Sequence, residues 1–259
     1  MEKIKLENVS KKFKLSFQAR EGFLYRVLEM LGKKDKQREV FWGIKNISLS
    51  VGSGEIVGVI GRNGSGKSTL LRVIAGVYQK NGGEITTLGE SIYINGVSHG
   101  LRSKLTMREN IFLIGAVLGL SQKNTAKIFD QVVEFSDLKD YLDVKLVKFS
   151  SGMIIRLAYS ITIHSILNRE AEIILLDEVF STSGDIFFQE KSLGKIAELQ
   201  SKQKAIIIAS HDLNLIENYC QRVIWLEGGK IIKQGEPHEV IKSYQKFYQE
   251  NENKLIVGS

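Results

Sequence analysis

The chain has 259 residues, 43% hydrophobic and 25% charged, which is the composition of a globular protein with one large or two small domains. Its formal net charge of +7 is compatible with binding to nucleic acid, with binding to anionic lipid and with a role in solubility alone. Charge therefore does not identify a partner. A single cysteine, Cys220, excludes an internal disulfide, and no apolar run reaches the roughly 18 residues of a membrane-spanning helix, so we expect a chain that is soluble or binds a membrane through a partner.

The N-terminal part of the chain alternates apolar and polar residues, as half-buried strands do. This pattern predicts strands over residues 4–9 and 41–51, and it lacks the apolar core of a signal peptide. Between them, apolar residues from Leu24 to Leu31 have helical spacing, which predicts an amphipathic helix over about residues 21–31 with a basic flank after it. That helix fits a surface helix packed on its own domain and a helix at a membrane interface equally well.

A glycine-rich segment with the pattern G-x-x-x-x-G-K-S follows an apolar run over residues 55–60, which predicts a buried strand. Apolar residues after the segment have helical spacing, so phosphates would lie at a helix N-terminus. A triphosphate needs a ring of backbone N–H groups, and glycines let the main chain come that close. Lys67 would lie between the β- and γ-phosphates, and the Ser68 hydroxyl would ligate Mg²⁺. The predicted phosphate loop comprises Gly61, Arg62, Asn63, Gly64, Ser65, Gly66, Lys67, Ser68 and Thr69.

Downstream of the loop the pattern changes from short strands to helices and back to strands. A helical insertion between two halves of a phosphate-loop sheet is therefore the predicted layout. The predicted elements are short strands up to Ile94, helical segments over 107–120, 122–135, 139–141 and 152–167, strands over 173–176 and 205–209, a hairpin over 223–226 and 230–234, and a last helix that begins at Pro237 and frays after Glu250.

Two carboxylates, Asp177 and Glu178, directly follow the predicted strand over 173–176. Open α/β sheets bind ligands at the C-terminal ends of their strands, so we predict that Asp177 holds Mg²⁺ through water and that Glu178 acts as general base on the attacking water. An acidic strand end in solvent is the alternative, and the presence of Lys67 disfavours it. His211, after the strand over 205–209, is a candidate for the γ-phosphate, although a lone histidine is more often an ordinary packed or surface residue.

Ser150, Ser151 and Gly152 precede a long apolar helix. Either serine could cap that helix, because a serine oxygen accepts from the first free N–H groups. The same geometry also presents N–H groups and hydroxyls to an anion. Local physics favours the cap.

Taken in order, these motifs resemble those of the ATP-binding subunit of an ABC transporter. The resemblance extends from about Ile4 to Phe247. It rests on the phosphate loop, the segment 149–153, Asp177-Glu178, Gly184-Asp185 and His211. Within that family the chain resembles the polysaccharide, O-antigen and teichoic-acid export branch, through Ser-Ser-Gly-Met in place of Ser-Gly-Gly-Gln and through the segments 105–111 and 225–230.

The resemblance implies an α/β fold, a phosphate-loop NTPase (RecA-like) ABC ATPase core with antiparallel strands and an inserted helical subdomain. It implies one nucleotide-binding domain over residues 1–259, with an amphipathic insert over 14–39, a helical signature subdomain over 98–167 and a C-terminal tail over 245–259. The cofactors would be ATP and Mg²⁺. The residues it assigns are Ser68 and Asp177 to the metal, Glu178 and His211 to catalysis, Phe13 (or Phe41 or Trp42) to adenine stacking, Ser150, Ser151 and Gly152 to the ATP of the opposite subunit, and Asp185 to the nucleotide site.

The resemblance also implies partners. Two copies would sandwich two nucleotides, and two transmembrane permease subunits would hold the homodimer at the cytoplasmic face of the cell membrane for export of a lipid-linked glycan, with no nucleic acid bound. One alternative is a soluble ABC ATPase acting on nucleic acid or ribosomes, but such chains usually carry two cassettes. A GTPase would need an Asn-Lys-x-Asp motif, which is not apparent, and a non-hydrolytic scaffold is disfavoured by Glu178.

The sequence departs from the family pattern at two places. The glutamine usual after the strand near Ile94 is not apparent, and Asn95 is the nearest polar residue. The stretch 180–183 is longer by about one residue, which puts signalling between subunits there in question.

Overall fold

The structure is a computed structural model that describes residues 1–14, 40–96, 100–179 and 186–257. The sequence predictions that lie outside these residues are the amphipathic helix over 21–31 within the insert, the longer stretch over 180–183 and the nucleotide contact at Asp185.

The described residues form nine strands and seven α-helices, with short 3₁₀ turns at Lys139–Tyr141 and Leu146–Lys148. The elements in chain order are β1 Glu2–Lys14, β2 Val40–Gly52, β3 Ile56–Ile60, α1 Lys67–Ile74, β4 Gly82–Thr87, β5 Ser91–Asn95, α2 Met107–Val117, α3 Gln122–Ser136, α4 Ser151–Leu167, β6 Ile173–Asp177, α5 Ile186–Ser201, β7 Ala205–Ala209, α6 Leu213–Tyr219, β8 Arg222–Glu227, β9 Lys230–Gly235 and α7 Pro237–Val257.

The main sheet has six strands in the order β5-β6-β7-β3-β8-β9. Five of them are parallel, and β9 runs antiparallel to β8 as the predicted hairpin. Every residue of β3, β6 and β7 is buried, which is typical of parallel strands that are covered on both faces and explains their unbroken apolar runs. Because these three strands are neighbours and parallel, the residues that follow them meet at one edge of the sheet.

A second, antiparallel sheet has the order β2-β1-β4. In β1 and β2 buried residues alternate with more exposed ones over part of their length, and pairs such as Ile4 with Val51 and Leu6 with Leu49 are in register. The buried face of this sheet shares one core with β3 and α1, so α1 is held between the two sheets. The strand β1 extends to Lys14, beyond the predicted end at Val9, and this extension brings Phe13 into the sheet.

The helical insertion has a hydrophobic core of its own, which includes Met107, Ile111, Val132 and Leu146. Helix α4 connects this core to the main domain, because Leu157 is buried in the helical core and Tyr159 in the core of the main sheet. The predicted inserted helical subdomain is therefore present. A capping box at Thr106 begins its first helix, with the Thr106 hydroxyl and the Glu109 carboxylate each bonded to the other's backbone N–H.

Three helices also differ from the sequence prediction. Helices α5 and α6 were not predicted, and Asp212 caps the second of them by accepting from the Leu215 N–H at 3.1 Å. The last helix does not end near Glu250 but continues to Val257, since no proline or glycine interrupts it before Gly258. Among the described helices, none is both long enough and apolar enough to cross a bilayer.

Candidate functional site

The segment between β3 and α1 takes the shape that the glycine pattern predicts. Gly66 has φ of 111°, and a Cβ atom there would lie 2.4 Å from the carbonyl oxygen of Gly43. At the other end of the loop Gly61 has φ of 150°, and a Cβ atom there would lie 2.3 Å from the Leu226 carbonyl oxygen. Both ends of the loop therefore require glycine for steric reasons.

The loop presents unpaired donors at the N-terminus of α1. Within the described part of the chain, the backbone N–H groups of Asn63, Gly64 and Gly66 have no acceptor. The Ser65 hydroxyl is buried and has no partner there either. Buried polar groups are nearly always paired, so this orphaned hydroxyl beside free amides marks a place for a ligand. The helix N-terminus and the amides together favour an anion.

Lys67 is a buried cation, with only 6% of the residue exposed. Its ammonium donates to the carbonyl oxygens of Gly61 at 2.7 Å and Arg62 at 3.2 Å. Burial lowers the pKa of the Lys67 amine, against the opposing attraction of Glu178 and Asp177. A phosphate in the loop would supply this desolvated charge with the anionic partner that it lacks.

Ser68 and Asp177, 109 residues apart in sequence, are in contact, as predicted. The Ser68 hydroxyl donates to Oδ1 of Asp177 at 3.0 Å, and Asp177 is 1% exposed. Hydroxyl and carboxylate oxygens are the ligands that Mg²⁺ takes, usually one or two with phosphates and water completing its shell. These two residues therefore fit Mg²⁺. No cluster of three or more His, Cys, Asp or Glu side chains suited to another metal occurs among the described residues.

Asn95 is the polar residue nearest to the position at which the family usually has a glutamine. It pairs with Asp177 in the parallel register of β5 and β6, and it is exposed. Its amide therefore lies at the same sheet edge as the predicted metal ligands, and a role for it in metal binding stays a prediction.

Glu178 and His211 form a pair at the ends of β6 and β7. Oε2 of Glu178 lies 2.7 Å from Nδ1 of His211. A carboxylate only accepts hydrogen bonds, so Nδ1 carries the proton and Nε2 remains for another partner. Glu178 has φ of 53°, held by its N–H donating to the Ala209 carbonyl at 2.9 Å. Left-handed backbone is unfavourable for glutamate, and such outliers concentrate at functional sites.

The double-serine turn begins α4. The Ser150 hydroxyl accepts from the Met153 N–H at 3.2 Å, which confirms the predicted cap. Ser150 and Ser151 are exposed, and Gly152 is half-buried. A Cβ atom on Gly152 would meet only the Ser150 hydroxyl, at 4.0 Å. Nothing inside the described part of this subunit requires a glycine at this position, and the turn is open to a neighbouring molecule.

Phe13, the first of the three candidate aromatic residues, lies close to Thr69 at the end of the phosphate loop. A Cβ atom built on Gly43 would lie 2.7 Å from Phe13 and 2.8 Å from Thr69, so these two side chains flank the same point. Phe13 also packs edge-on against Tyr78, with ring centroids 5.4 Å apart. Trp42, by contrast, is 37% exposed and lies beneath the Lys45 ammonium at 5.5 Å. Stacking of adenine on Phe13 stays a prediction.

Comparison with known families adds an independent observation. The ABC transporter family matches residues 44–181, more than half of the chain. This chain belongs to the ABC transporter family. The predicted α/β fold, with its ABC ATPase core and helical insertion, is confirmed.

Curated relatives of this ABC transporter chain include export proteins. The teichoic acids export ATP-binding protein TagH of Lactococcus lactis subsp. lactis (strain IL1403) is 37% identical over 247 residues, 95% of this chain and 51% of the relative. The O-antigen export system ATP-binding protein RfbB of Myxococcus xanthus is 32% identical over 225 residues, 86% of this chain and 50% of the relative. The chain spans about half the length of these two relatives.

A solved structure shows the same fold. It is the dimeric structure of a post-hydrolysis state of the ATP-binding cassette MJ0796 bound to ADP and Pi, with a TM-score of 0.67 and 22% identity. The likeness covers 90% of this chain and 98% of that chain.

Two contacts of this ABC transporter site were missed by the sequence analysis. On β5, the Tyr93 hydroxyl donates a hydrogen bond to Asp177. On α7, the Tyr248 ring stacks on the Arg62 guanidinium, whose central carbon lies 5.3 Å from the centroid of the ring. Tyr248 also donates a hydrogen bond to Glu227, and burial together with that carboxylate raises the pKa of its phenol. Strand parity could have indicated Tyr93, since it lies two residues before Asn95 on the same face, but no local signal connects residue 248 with residue 62.

Proposed function

We propose that this chain is the ATP-hydrolysing subunit of an ABC exporter that moves a lipid-linked polysaccharide of teichoic-acid, O-antigen or capsule type across the cell membrane. The observation that carries the proposal is the meeting of the Ser68–Asp177 contact and the Glu178–His211 pair at one sheet edge beside the phosphate loop. The names of the relatives support the choice of export over other ABC functions.

Each side chain of the site has a distinct task in this proposal. The loop amides and Lys67 bind the phosphates of ATP. Ser68 and Asp177 hold Mg²⁺, which neutralises charge on the phosphates when it is bound. Glu178 accepts a proton from the attacking water at its carboxylate. His211 orients that carboxylate through Nδ1, and its Nε2 would be available to the γ-phosphate.

The exposed turn at residues 150–152 supports a homodimer in which each turn contacts the nucleotide of the other copy. The turn offers a hydroxyl, free N–H groups and a helix N-terminus, all suited to phosphate. Gly152 has no steric requirement within the described part of its own subunit, and this openness suits close approach of an external ligand.

Mixing two defective chains tests the shared site. Lys67→Ala spoils the loop and Gly152→Asp spoils the turn, so only a mixed dimer contains one complete site. With both chains carrying Glu178→Gln to prevent turnover, we expect each alone to stay monomeric with ATP and the mixture to form dimers holding one ATP. Size-exclusion chromatography with light scattering measures this outcome. Dimers of Gly152→Asp alone, or none in the mixture, would contradict the shared site.

Export requires partners that carry the membrane-spanning part. We propose two transmembrane permease subunits, which hold the ATPase homodimer at the cytoplasmic face of the cell membrane. The helical insertion around residues 105–120 is the proposed coupling element, and the predicted amphipathic helix near residues 21–31 is proposed to lie at the membrane face. The lipid-linked glycan is handled by the whole complex.

A binding comparison separates export from the nucleic-acid alternative. We expect the chain to co-sediment with membranes only when its permease is present, and the isolated complex to carry a lipid-linked sugar detectable by mass spectrometry. Binding to DNA or RNA that weakens steeply with salt, without any dependence on membranes, would favour the alternative instead.

A further inference from the structure

Both oxygens of the Asp177 carboxylate accept hydrogen bonds from fixed donors. Oδ1 accepts from the Ser68 hydroxyl at 3.0 Å, and Oδ2 accepts from the Tyr93 phenol at 2.8 Å. The Tyr93 oxygen itself accepts from Nε of Arg72 at 2.9 Å. Arg72 lies on α1, the helix that begins with the phosphate loop, so this chain of side chains connects the loop helix to the carboxylate through β5.

We propose that Tyr93 is a positioning residue that fixes the Asp177 carboxylate so that Oδ1, and not Oδ2, faces the magnesium site beside Ser68. This inference rests on the proposed binding of Mg-ATP. A carboxylate can rotate about its terminal torsion, and its preference there is broad. The phenol removes that freedom on one side of the carboxylate, which leaves a single oxygen directed at the metal.

The direction of the hydrogen bonds is defined by the donors. An arginine never accepts, so its Nε–H occupies a lone pair of the Tyr93 oxygen and the phenol proton is left for Asp177. The phenol is therefore the donor in its 2.8 Å bond to Oδ2 of Asp177.

The comparison of Tyr93→Phe with Tyr78→Phe tests this role. Both variants keep the ring and lose a hydroxyl that accepts from Arg72, since Nη1 of Arg72 donates to Tyr78 at 3.2 Å. Only Tyr93 bonds to Asp177. Loss of a residue that hydrogen-bonds to a metal ligand typically weakens metal affinity by 10- to 100-fold. We therefore expect Tyr93→Phe to need about ten times more Mg²⁺ for half of the full effect of Mg²⁺ on nucleotide binding. Tyr78→Phe should leave it unchanged.

The readout is the binding of a fluorescent ADP analogue to the full chain, titrated with Mg²⁺ and repeated in EDTA. Metal-free nucleotide affinity and melting temperature should be the same in both variants and the parent chain. Equal Mg²⁺ dependence in Tyr93→Phe and in the parent chain would overturn this inference and would leave the proposed function standing. A lower melting temperature together with weaker metal-free nucleotide binding in Tyr93→Phe would also overturn it, because Tyr93 would then be purely structural. A parent chain that binds nucleotide without any response to Mg²⁺ would instead refute the proposed function.

Discussion

Glu178→Gln is expected to reduce ATP turnover by roughly 10²- to 10⁴-fold, the usual contribution of a general base, while ATP binding is retained. The amide has the size of the carboxylate but cannot accept the proton of the attacking water. Glu178 is one-third exposed, and only one of its oxygens is bonded to His211, so the other oxygen is available to water. Because each ATP in the proposed homodimer contacts both copies, a variant that binds ATP without hydrolysing it should also accumulate as an ATP-bound dimer.

Phosphate release measures the turnover, and light scattering with ATP measures the dimer. The matched control is Glu217→Gln, since Glu217 contacts Nδ1 of His238 at the same 2.7 Å distance but belongs to no part of the site. The control should hydrolyse ATP like the parent chain. Unchanged turnover in Glu178→Gln would remove this residue from its catalytic role.

The central strands and the phosphate loop could be predicted from sequence because their signals are local. The strands β3, β6 and β7 are apolar throughout except for Asp177 at the end of β6, and the structure places them as predicted to within a residue or two. The loop is fixed by steric requirements at Gly61 and Gly66, which leave few alternatives to its sequence. The parallel order of these strands then brings together residues that are far apart in sequence.

Other features could not be predicted because they depend on which strands and helices become neighbours. The bond from Tyr93 to Asp177 exists only because β5 pairs with β6, and strand order is not visible in a local pattern. The contact of Tyr248 with Arg62 likewise depends on where α7 packs. Helix α6, seven residues long, was missed because a single turn or two gives little periodic signal.

Lys67→Ala is expected to weaken ATP binding by roughly 10- to 100-fold, the value of one hydrogen bond to a charged group. The ammonium is almost fully buried and now bonds only to the carbonyl oxygens of Gly61 and Arg62. Alanine removes the charge that the γ-phosphate would meet, and the other cation of the loop, Arg62, is stacked on Tyr248 instead. Since burial lowers the pKa of Lys67, we also expect the parent chain to lose ATP affinity as the pH rises through that lowered value, and Lys67→Ala to lack this loss.

Titration with a fluorescent ATP analogue between neutral and alkaline pH measures both effects. Lys80→Ala is the matched control, because the Lys80 ammonium also donates to a nearby glycine carbonyl, that of Gly83 at 2.6 Å, but from an exposed position outside the loop. The control should bind ATP like the parent chain at every pH.

The lowered pKa of Lys67 also makes the stability of the nucleotide-free fold depend on pH. A lysine whose pKa is lowered in the folded state disfavours folding while it is charged, so the nucleotide-free fold gains stability as the pH rises through the lowered pKa. Lys67→Ala should lack this pH-dependent gain in melting temperature, and normal ATP affinity in the folded variant would refute the assignment of the phosphate loop.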